Sequence, residues 1–191
     1  LVERPVYDAL VGKLIPKFEA LVTGPGCEDL DCGPLINSRQ MQRVVAMVEQ
    51  ATRQGVRVLA EGKMASNAPS GGFYVTPKLL DGAGANSPIA QDEIFGPVLV
   101  VLPFDGEEEA VAVANGTDYG LVAGVWTADG ARQMRMAQKL KCGQVFINNY
   151  GAAGGVELPF GGYKRSGFGR EKGIEGLKSF TVLKTVAVRH G

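Results

Sequence analysis

The sequence is poor in the residue types that build metal centres. Its 191 residues include a single histidine, His190, and three cysteines, Cys27, Cys32 and Cys142. Structural zinc sites need about four Cys or His ligands at short spacings, and Cys27-x4-Cys32 is not a recognised metal spacing. No metal site is therefore predicted. A sparse, odd number of cysteines also indicates a reducing compartment, so a cytoplasmic protein is expected.

Net charge and long apolar runs are also missing. Lys plus Arg and Asp plus Glu balance at 20 each and are scattered, which gives no basic surface for nucleic acid. No apolar run approaches the roughly 20 residues that span a bilayer, and residues 1–5 do not resemble a secretory signal. Because the first residue is not Met, the chain is expected to be cut from a longer one. The expected partner is a small molecule, and no binding to nucleic acid or to a membrane is expected.

Hydrophobic residues make up 45% of the chain, enough for a real core. Helical and strand periodicities alternate along it. Helices are predicted near the N-terminus (shortened or kinked by Pro16), from a capping box at Asn37 and Gln40, after Asp105 and after Asp129. Strands are predicted at 56–60, 73–75, 98–104, 121–126, 144–147 and 181–189. The β-α-β-α-β order from 98 to 147 predicts an α/β fold with a mostly parallel open sheet and flanking helices. Residues 148–169 read as a glycine-rich loop.

Two short motifs carry more information than the periodicity. Residues 93–97 read Glu-Ile-Phe-Gly-Pro, which places a carboxylate and an aromatic ring on the same side of an extended segment. Residues 159–162 read Pro-Phe-Gly-Gly, ahead of a loop with three basic residues. Both motifs resemble signature segments of the NAD(P)-dependent aldehyde dehydrogenase superfamily. The resemblance extends over about residues 2–188, and it covers only the C-terminal part of such an enzyme.

The resemblance implies an aldehyde dehydrogenase catalytic-domain portion over residues 1–178 and a C-terminal oligomerisation strand over 179–191. Family members are more than twice as long. Their nucleophilic Cys would fall a few residues before Leu1, with the general-base Glu and the dinucleotide turn further upstream. The intact enzyme would oxidise an aldehyde to a carboxylate with NAD or NADP, through a thiohemiacetal. This chain alone is expected to be inactive. The enzyme is expected to be a dimer or tetramer.

The resemblance also assigns roles to cofactor-binding residues. Glu93 would hold the nicotinamide ribose and Phe95 would flank the nicotinamide ring. Gln40 and Arg43, one helical turn apart, would reach the adenosine ribose side. From the residues alone, Glu93 is more often a solvated side chain, and Gln40 and Arg43 an exposed polar helix face.

The resemblance places one residue, Phe160, in the substrate site, as part of the wall of the substrate tunnel; a plain core phenylalanine is the alternative. Residues 151–157 lack the aromatic anchor that relatives often have, which suggests a roomier aldehyde site. The basic residues Lys164, Arg165 and Arg170 are weak evidence for a phosphate site, and the family interpretation is that Arg170 fixes the loop.

Two further functions compete with the dehydrogenase interpretation. The chain is alternatively a non-catalytic truncated remnant with a structural or oligomerising role. A more distant alternative is a phosphate-handling reductase of the related fold, such as a glutamyl-phosphate reductase, against which the two unbroken motifs argue.

Overall fold

The chain divides into two units, Leu1–Ala110 and Val111–Gly191, in a computed structural model that describes residues 1–151 and 155–191. Unit 1 contains β1 (Val2–Glu3), α1 (Arg4–Ala20), β2 (Val22–Thr23), α2 (Ser38–Arg53), β3 (Arg57–Glu61), β4 (Lys63–Met64), β5 (Lys78–Asp81), α3 (Pro88–Gln91), β6 (Val98–Val101) and β7 (Pro103–Phe104). Helix α4 (Gly106–Asn115) crosses the boundary. Unit 2 continues with β8 (Tyr119–Gly120), β9 (Val122–Val125), α5 (Gly130–Lys139), β10 (Gln144–Ile147), β11 (Tyr163–Lys164) and α6 (Gly173–Lys178).

The main sheet of unit 1 has the order β3-β5-β6, with β5 antiparallel to β3 and parallel to β6. Its central strand buries Leu79 and Leu80 completely, one on each face. The sequence did not predict β5; the strand expected at 73–75 is irregular instead. The four residues between Pro77 and Gly82 are too few to show a clear periodicity. They form a strand because they pair with a neighbouring strand on each side.

Helix α1 runs through Pro16 to Ala20, so of the two effects predicted for this proline, a kink or a shortening, the shortening does not occur. A proline inside a helix costs about 3 kcal/mol, since its ring replaces the N–H that would bond the carbonyl four residues back. The helix is held in place by packing on β3 and β5. Val11 is buried in this contact, with Leu14 and Phe18 packed beside it. We infer that this burial outweighs the local cost of Pro16.

In unit 2, β9 and β10 pair in parallel with Gln144 opposite Val122, which confirms the predicted parallel crossover through α5. The α5 helix begins as predicted, with the Asp129 carboxylate accepting from the backbone of Ala131 and Arg132. The mixed α/β class with small, mostly parallel sheets and flanking helices is thus confirmed. The first predicted strand of the series, β6, pairs with β5 instead.

The C-terminal strand expected at 181–189 is not formed within this chain. Residues 181–191, the 181–191 tail, have no regular structure and are exposed. Val182 is 94% exposed and Leu183 is 100% exposed, so the tail makes no packing contact that would hold it extended. No helix in the described part of the chain is both long and apolar enough to cross a bilayer.

A buried carboxylate at the end of β5 ties three elements of unit 1 together. Asp81 is 5% exposed and accepts hydrogen bonds from the Tyr7 hydroxyl and the Arg57 guanidinium. Burial acts to raise the pKa of Asp81, but these two hydrogen bonds outweigh it and the pKa is lowered. Burial and the bond to Asp81 raise the pKa of Tyr7 to about 12.

We expect this cluster to make the stability of unit 1 depend on pH at the acid end. A carboxyl whose folded pKa lies below its unfolded value of about 3.9 stabilises the fold above that pH and loses this contribution as pH falls through the folded pKa. Asp81→Asn should therefore lower the free energy of unfolding by about 1–3 kcal/mol near neutral pH. Urea unfolding of both proteins between about pH 7 and pH 2 should show the difference shrinking below about pH 4. A difference that does not change with pH would contradict the assignment.

Candidate functional site

The site begins with helix α2, which is fixed by its cap and by one buried face. The Asn37 side chain accepts from Gln40 N at 2.9 Å, as the sequence predicted for the first half of a capping box. Val44, Val48 and Ala51 are buried at 0%, 6% and 3% exposure in the core of unit 1. The helix is therefore a rigid support for what packs on it.

The 93–96 turn (Glu93, Ile94, Phe95, Gly96) packs directly on this helix. Ile94 is buried in the same core, and a Cβ at Gly96 would lie 2.7 Å from Val44 Cγ2, too close for any residue but glycine. Phe95 has φ +55°, a left-handed conformation that costs most residues about 1–2 kcal/mol. The Glu93 and Phe95 side chains are both exposed, with Phe95 at 66%. The turn is anchored on one side and presents a carboxylate and a ring on the other.

Gln40 and Arg43 hold the backbone of this turn. Gln40 Nε2 donates to Ile94 O at 2.9 Å and Phe95 O at 3.0 Å. Arg43 Nη1 donates to Ile94 O at 2.9 Å, and Arg43 Nη2 donates to Glu93 O at 2.6 Å. Four of the predicted site residues are thus brought together in unit 1. Hydrogen bonds from a guanidinium are about twice as strong as neutral ones, so the turn is firmly attached.

These contacts correct one detail of the sequence analysis. The capping box predicted that the Gln40 side chain would bond back to the start of its own helix. Its amide instead bonds carbonyls 54 and 55 residues further along the chain. The local pattern correctly predicts the cap at Asn37, whereas the Gln40 amide bonds two distant carbonyls instead of the start of its own helix. Only a long-range signal could have shown this role.

A cleft of about 170 Å³ lies beside Arg43, between α2 and α3. Small-molecule sites usually have volumes of about 300–1,000 Å³, so this cleft does not by itself hold a dinucleotide. Its residues are Arg43, Met47, Gln50, Ala51, Gln54, Pro88, Ile89 and Asp92.

In unit 2, Phe160 is half-buried in a short antiparallel bridge. Phe160 N donates to Glu171 O at 2.8 Å, and Glu171 N donates to Phe160 O at 2.7 Å. The Lys172 ammonium lies 5.8 Å from the centre of the Phe160 ring, within cation–π range. Gln144 Nε2 donates to the neighbouring Pro159 carbonyl at 2.9 Å. The backbone of Phe160 is therefore well fixed.

A second cleft, of about 470 Å³, lies along β10 and has the volume of a small-molecule site. Its residues are Gln144, Val145, Phe146, Ile147, Asn149, Gly151, Leu158 and Pro159. Phe160 is not among these described lining residues, although Pro159 is. The sequence pattern of β10 is that of an ordinary core strand, so its residues were not predicted to line a site. The 151–157 segment, predicted to leave the aldehyde site roomy, includes 152–154, which lie outside the described residues.

Two of the three basic residues of the glycine-rich loop, Lys164 and Arg170, donate to backbone carbonyls, and the third, Arg165, is largely exposed and lies 3.8 Å from the Asp118 carboxylate. Lys164 Nζ donates to the carbonyls of Asn115 and Thr117 at 2.7 and 2.6 Å. Arg170 Nη1 donates to the carbonyls of Gly162 and Gly169 at 3.0 and 2.6 Å. These bonds fix the loop, as the family interpretation expected, and they leave little support for a phosphate site.

None of the three cysteines is arranged as a nucleophile. Burial raises the pKa of the Cys142 thiol, whose Sγ donates to Gln144 O at 3.2 Å. Burial also raises the pKa of Cys32, and Cys27 is exposed. A catalytic cysteine needs a lowered pKa, because the thiolate is the attacking species. Among the described residues, no group of His, Cys, Asp and Glu could hold a metal ion.

Comparison with known proteins identifies the family. The model of the aldehyde dehydrogenase family matches residues 1–186. The chain is 42% identical over 194 residues to 4-trimethylaminobutyraldehyde dehydrogenase A of Danio rerio, covering 100% of this chain and 38% of the relative. It is 41% identical over 191 residues to betaine aldehyde dehydrogenase of Sinorhizobium fredii, covering 100% and 39%. The chain thus spans less than two fifths of the length of these relatives.

Solved structures agree with this result. A provisionally assigned aldehyde dehydrogenase from Burkholderia cenocepacia superposes with a TM-score of 0.96 at 57% identity, covering 99% of this chain and 40% of that one. The NAD+ complex of a Bacillus cereus aldehyde dehydrogenase superposes with a TM-score of 0.89 at 39% identity, covering 97% and 37%. The chain belongs to the aldehyde dehydrogenase family.

Proposed function

We propose that this chain is the C-terminal part of a longer NAD(P)-dependent aldehyde dehydrogenase, the full-length enzyme, which oxidises an aldehyde to a carboxylate. The observation that carries the proposal is the 93–96 turn. It is bound to α2 from beneath by four hydrogen bonds and exposes the Glu93 carboxylate and the Phe95 ring. A carboxylate accepts from both hydroxyls of a ribose, and an exposed ring packs against a flat nicotinamide.

Gln40 and Arg43 complete the proposed cofactor-binding set, on the adenosine ribose side. The two Nε2 bonds of Gln40 use both amide N–H groups, so its Oε1 acceptor is left for a ligand hydroxyl. Arg43 uses two of its five N–H donors on the turn and keeps the rest for a ligand oxygen. The donor set therefore fits a ribose. Bound NAD(P)+ would supply the two-electron acceptor.

The substrate side of the proposal rests on unit 2. Phe160 is held by its bridge to Glu171, and we propose that its ring forms part of the wall along which the aldehyde enters. The fixed backbone keeps this wall in one position while the aldehyde is held. The three free thiols agree with a reducing, cytoplasmic compartment.

An assay of the full-length enzyme tests the proposal. It should form NAD(P)H from NAD(P)+ only when an aldehyde is present. A protein containing this chain that binds neither NAD+ nor NADP+ would instead support the alternative, a non-catalytic remnant with a structural or oligomerising role.

The 181–191 tail supports the further proposal that the enzyme is a homo-oligomer, a dimer or tetramer. Its alternation places Val182 and Val186 on one side and Leu183 and Ala187 on the other, so a strand here exposes apolar groups on both faces. An unpaired strand of this kind favours association with another sheet edge. The tail has no partner strand within the described part of its own chain.

Light scattering should show that the tail drives association. The 191-residue chain is expected to form particles larger than a monomer, and a variant ending at residue 180 should be smaller, because the apolar edge has been removed. A monodisperse monomer whose tail amides are protected from hydrogen exchange would contradict the proposal, since the tail would then pair within its own chain.

A further inference from the structure

The 93–96 turn has little support of its own. Residues 93–95 belong to no helix or strand, and the nearest backbone bonds lie outside them, from Asp92 N to Pro88 O and from Val98 N to Gly96 O. Phe95 is left-handed, and its ring is too exposed to anchor the turn by packing. Ile94 anchors the turn in the core, but the direction in which Glu93 and Phe95 point also depends on what holds their own peptide groups.

Helix α2 holds these peptide groups through two of its side chains. Gln40 and Arg43 lie one turn apart on the same face, and both donate to Ile94 O. Gln40 also bonds the carbonyl of Phe95, and Arg43 also bonds the carbonyl of Glu93. Each of the two exposed residues thus has its own peptide carbonyl held by a different side chain.

We propose that Gln40 and Arg43 are positioning residues, which set the orientation of the Glu93 carboxylate and the Phe95 ring by fixing their carbonyls. This inference rests on the proposed function of the 93–96 turn. It differs from a ligand-binding role for Gln40 and Arg43, because here they act through Glu93 and Phe95. Catalysis is sensitive to such control, since a misplacement of about 1 Å costs roughly 10²-fold in rate.

The test uses the full-length enzyme and separates the two roles of Gln40. Gln40→Glu has the same shape and keeps the Oε1 acceptor for a ligand, but it loses the two N–H groups that hold the turn. Gln42→Glu is the matched control, because Gln42 is exposed on the same helix and its amide bonds only Ser38 Oγ. Arg43→Met removes the guanidinium, and Arg43→Lys restores a donor. Thermal unfolding of each variant reports whether it folds. If Arg43→Met does not fold, the kinetics of Gln40→Glu test the positioning role alone.

We expect kcat to fall about tenfold or more in Gln40→Glu and Arg43→Met. The Kd of NAD(P)H should change by less than about threefold in Gln40→Glu, which keeps its Oε1 acceptor, whereas Arg43→Met also loses the donors proposed for the ligand and should bind it more weakly. Arg43→Lys should regain part of the lost turnover, and Gln42→Glu should match the parent enzyme. In a Phe95→Leu background, Gln40→Glu should cost less than about twofold more, because Gln40 holds the Phe95 carbonyl and residues acting as one unit are not additive.

Three results would overturn the inference: a loss of cofactor affinity at unchanged kcat in Gln40→Glu, additive effects of Gln40→Glu and Phe95→Leu, or a failure of Arg43→Lys to regain any turnover. The parent site is tested separately. If Glu93→Gln alone leaves turnover unchanged, the proposed function of the turn fails, and the positioning role with it. If Glu93→Gln slows the enzyme and Gln40→Glu does not, only the positioning role fails.

Discussion

Glu93→Gln in the full-length enzyme is expected to lower turnover by about tenfold to 100-fold while changing cofactor affinity much less. The carboxylate accepts from both ribose hydroxyls in the proposed complex, and the amide keeps one acceptor oxygen and adds an N–H that can donate but cannot accept. Most cofactor contacts remain, so the dinucleotide still binds. Its nicotinamide end is held less firmly, so the nicotinamide ring is less well placed to accept the hydride and turnover falls.

Steady-state kinetics and direct titration with NAD(P)H measure the two quantities separately. Glu19→Gln is a suitable control, because Glu19 is also an exposed carboxylate, on α1, and no proposed role falls on it. Turnover unchanged by Glu93→Gln would contradict the proposed role of the carboxylate. A drop in affinity at unchanged kcat would show that Glu93 holds the cofactor equally strongly in the ground state and the transition state.

The 191-residue chain purified alone should form no NADH from an aldehyde above the rate in buffer. The burial-raised pKa values of Cys32 and Cys142 keep these thiols protonated near neutral pH, and no histidine other than His190 is present to activate any cysteine. Loss of general acid–base catalysis alone costs about 10²–10⁴-fold, and loss of the covalent step adds to this.

The same assay on the full-length enzyme is the positive control for the isolated chain. NADH formation by the purified chain that disappears in Cys142→Ser would contradict the expectation, since it would make Cys142 a working nucleophile. NADH formation that persists in Cys142→Ser and Cys32→Ser would contradict it too, because the chain would then catalyse by another route.

Local signals predicted four of the six α-helices in the described residues, and the two short ones, α3 and α6, were not predicted. The caps at Asn37 and Asp129 depend on side chains within three residues, so the starts of α2 and α5 were readable from the sequence. Parallel pairing of β9 with β10 followed from the helix between them. Pro16 does not end α1, because the compensating contacts come from β3 and β5, far along the chain.

The features that the sequence did not predict depend on contacts between residues far apart in the chain. Strand β5 has four residues and gains its identity from two neighbours. The tail has strand composition but no partner strand in the described part of its own chain, so its pairing with another subunit stays a prediction. Within the site, the motif pointed to Glu93 and Phe95, yet the hydrogen bonds from Gln40 and Arg43 span 50 residues or more and leave no local pattern.

The structure of the full-length enzyme with bound NAD(P)+ tests the central claim most directly. The account predicts that the Glu93 carboxylate oxygens lie about 2.6–3.2 Å from the hydroxyls of the nicotinamide ribose, with the Phe95 ring against the nicotinamide. The Gln40 and Arg43 bonds to the carbonyls of residues 93–95 should persist in the complex. A nicotinamide ribose bound elsewhere, with Glu93 in solvent, would contradict the account.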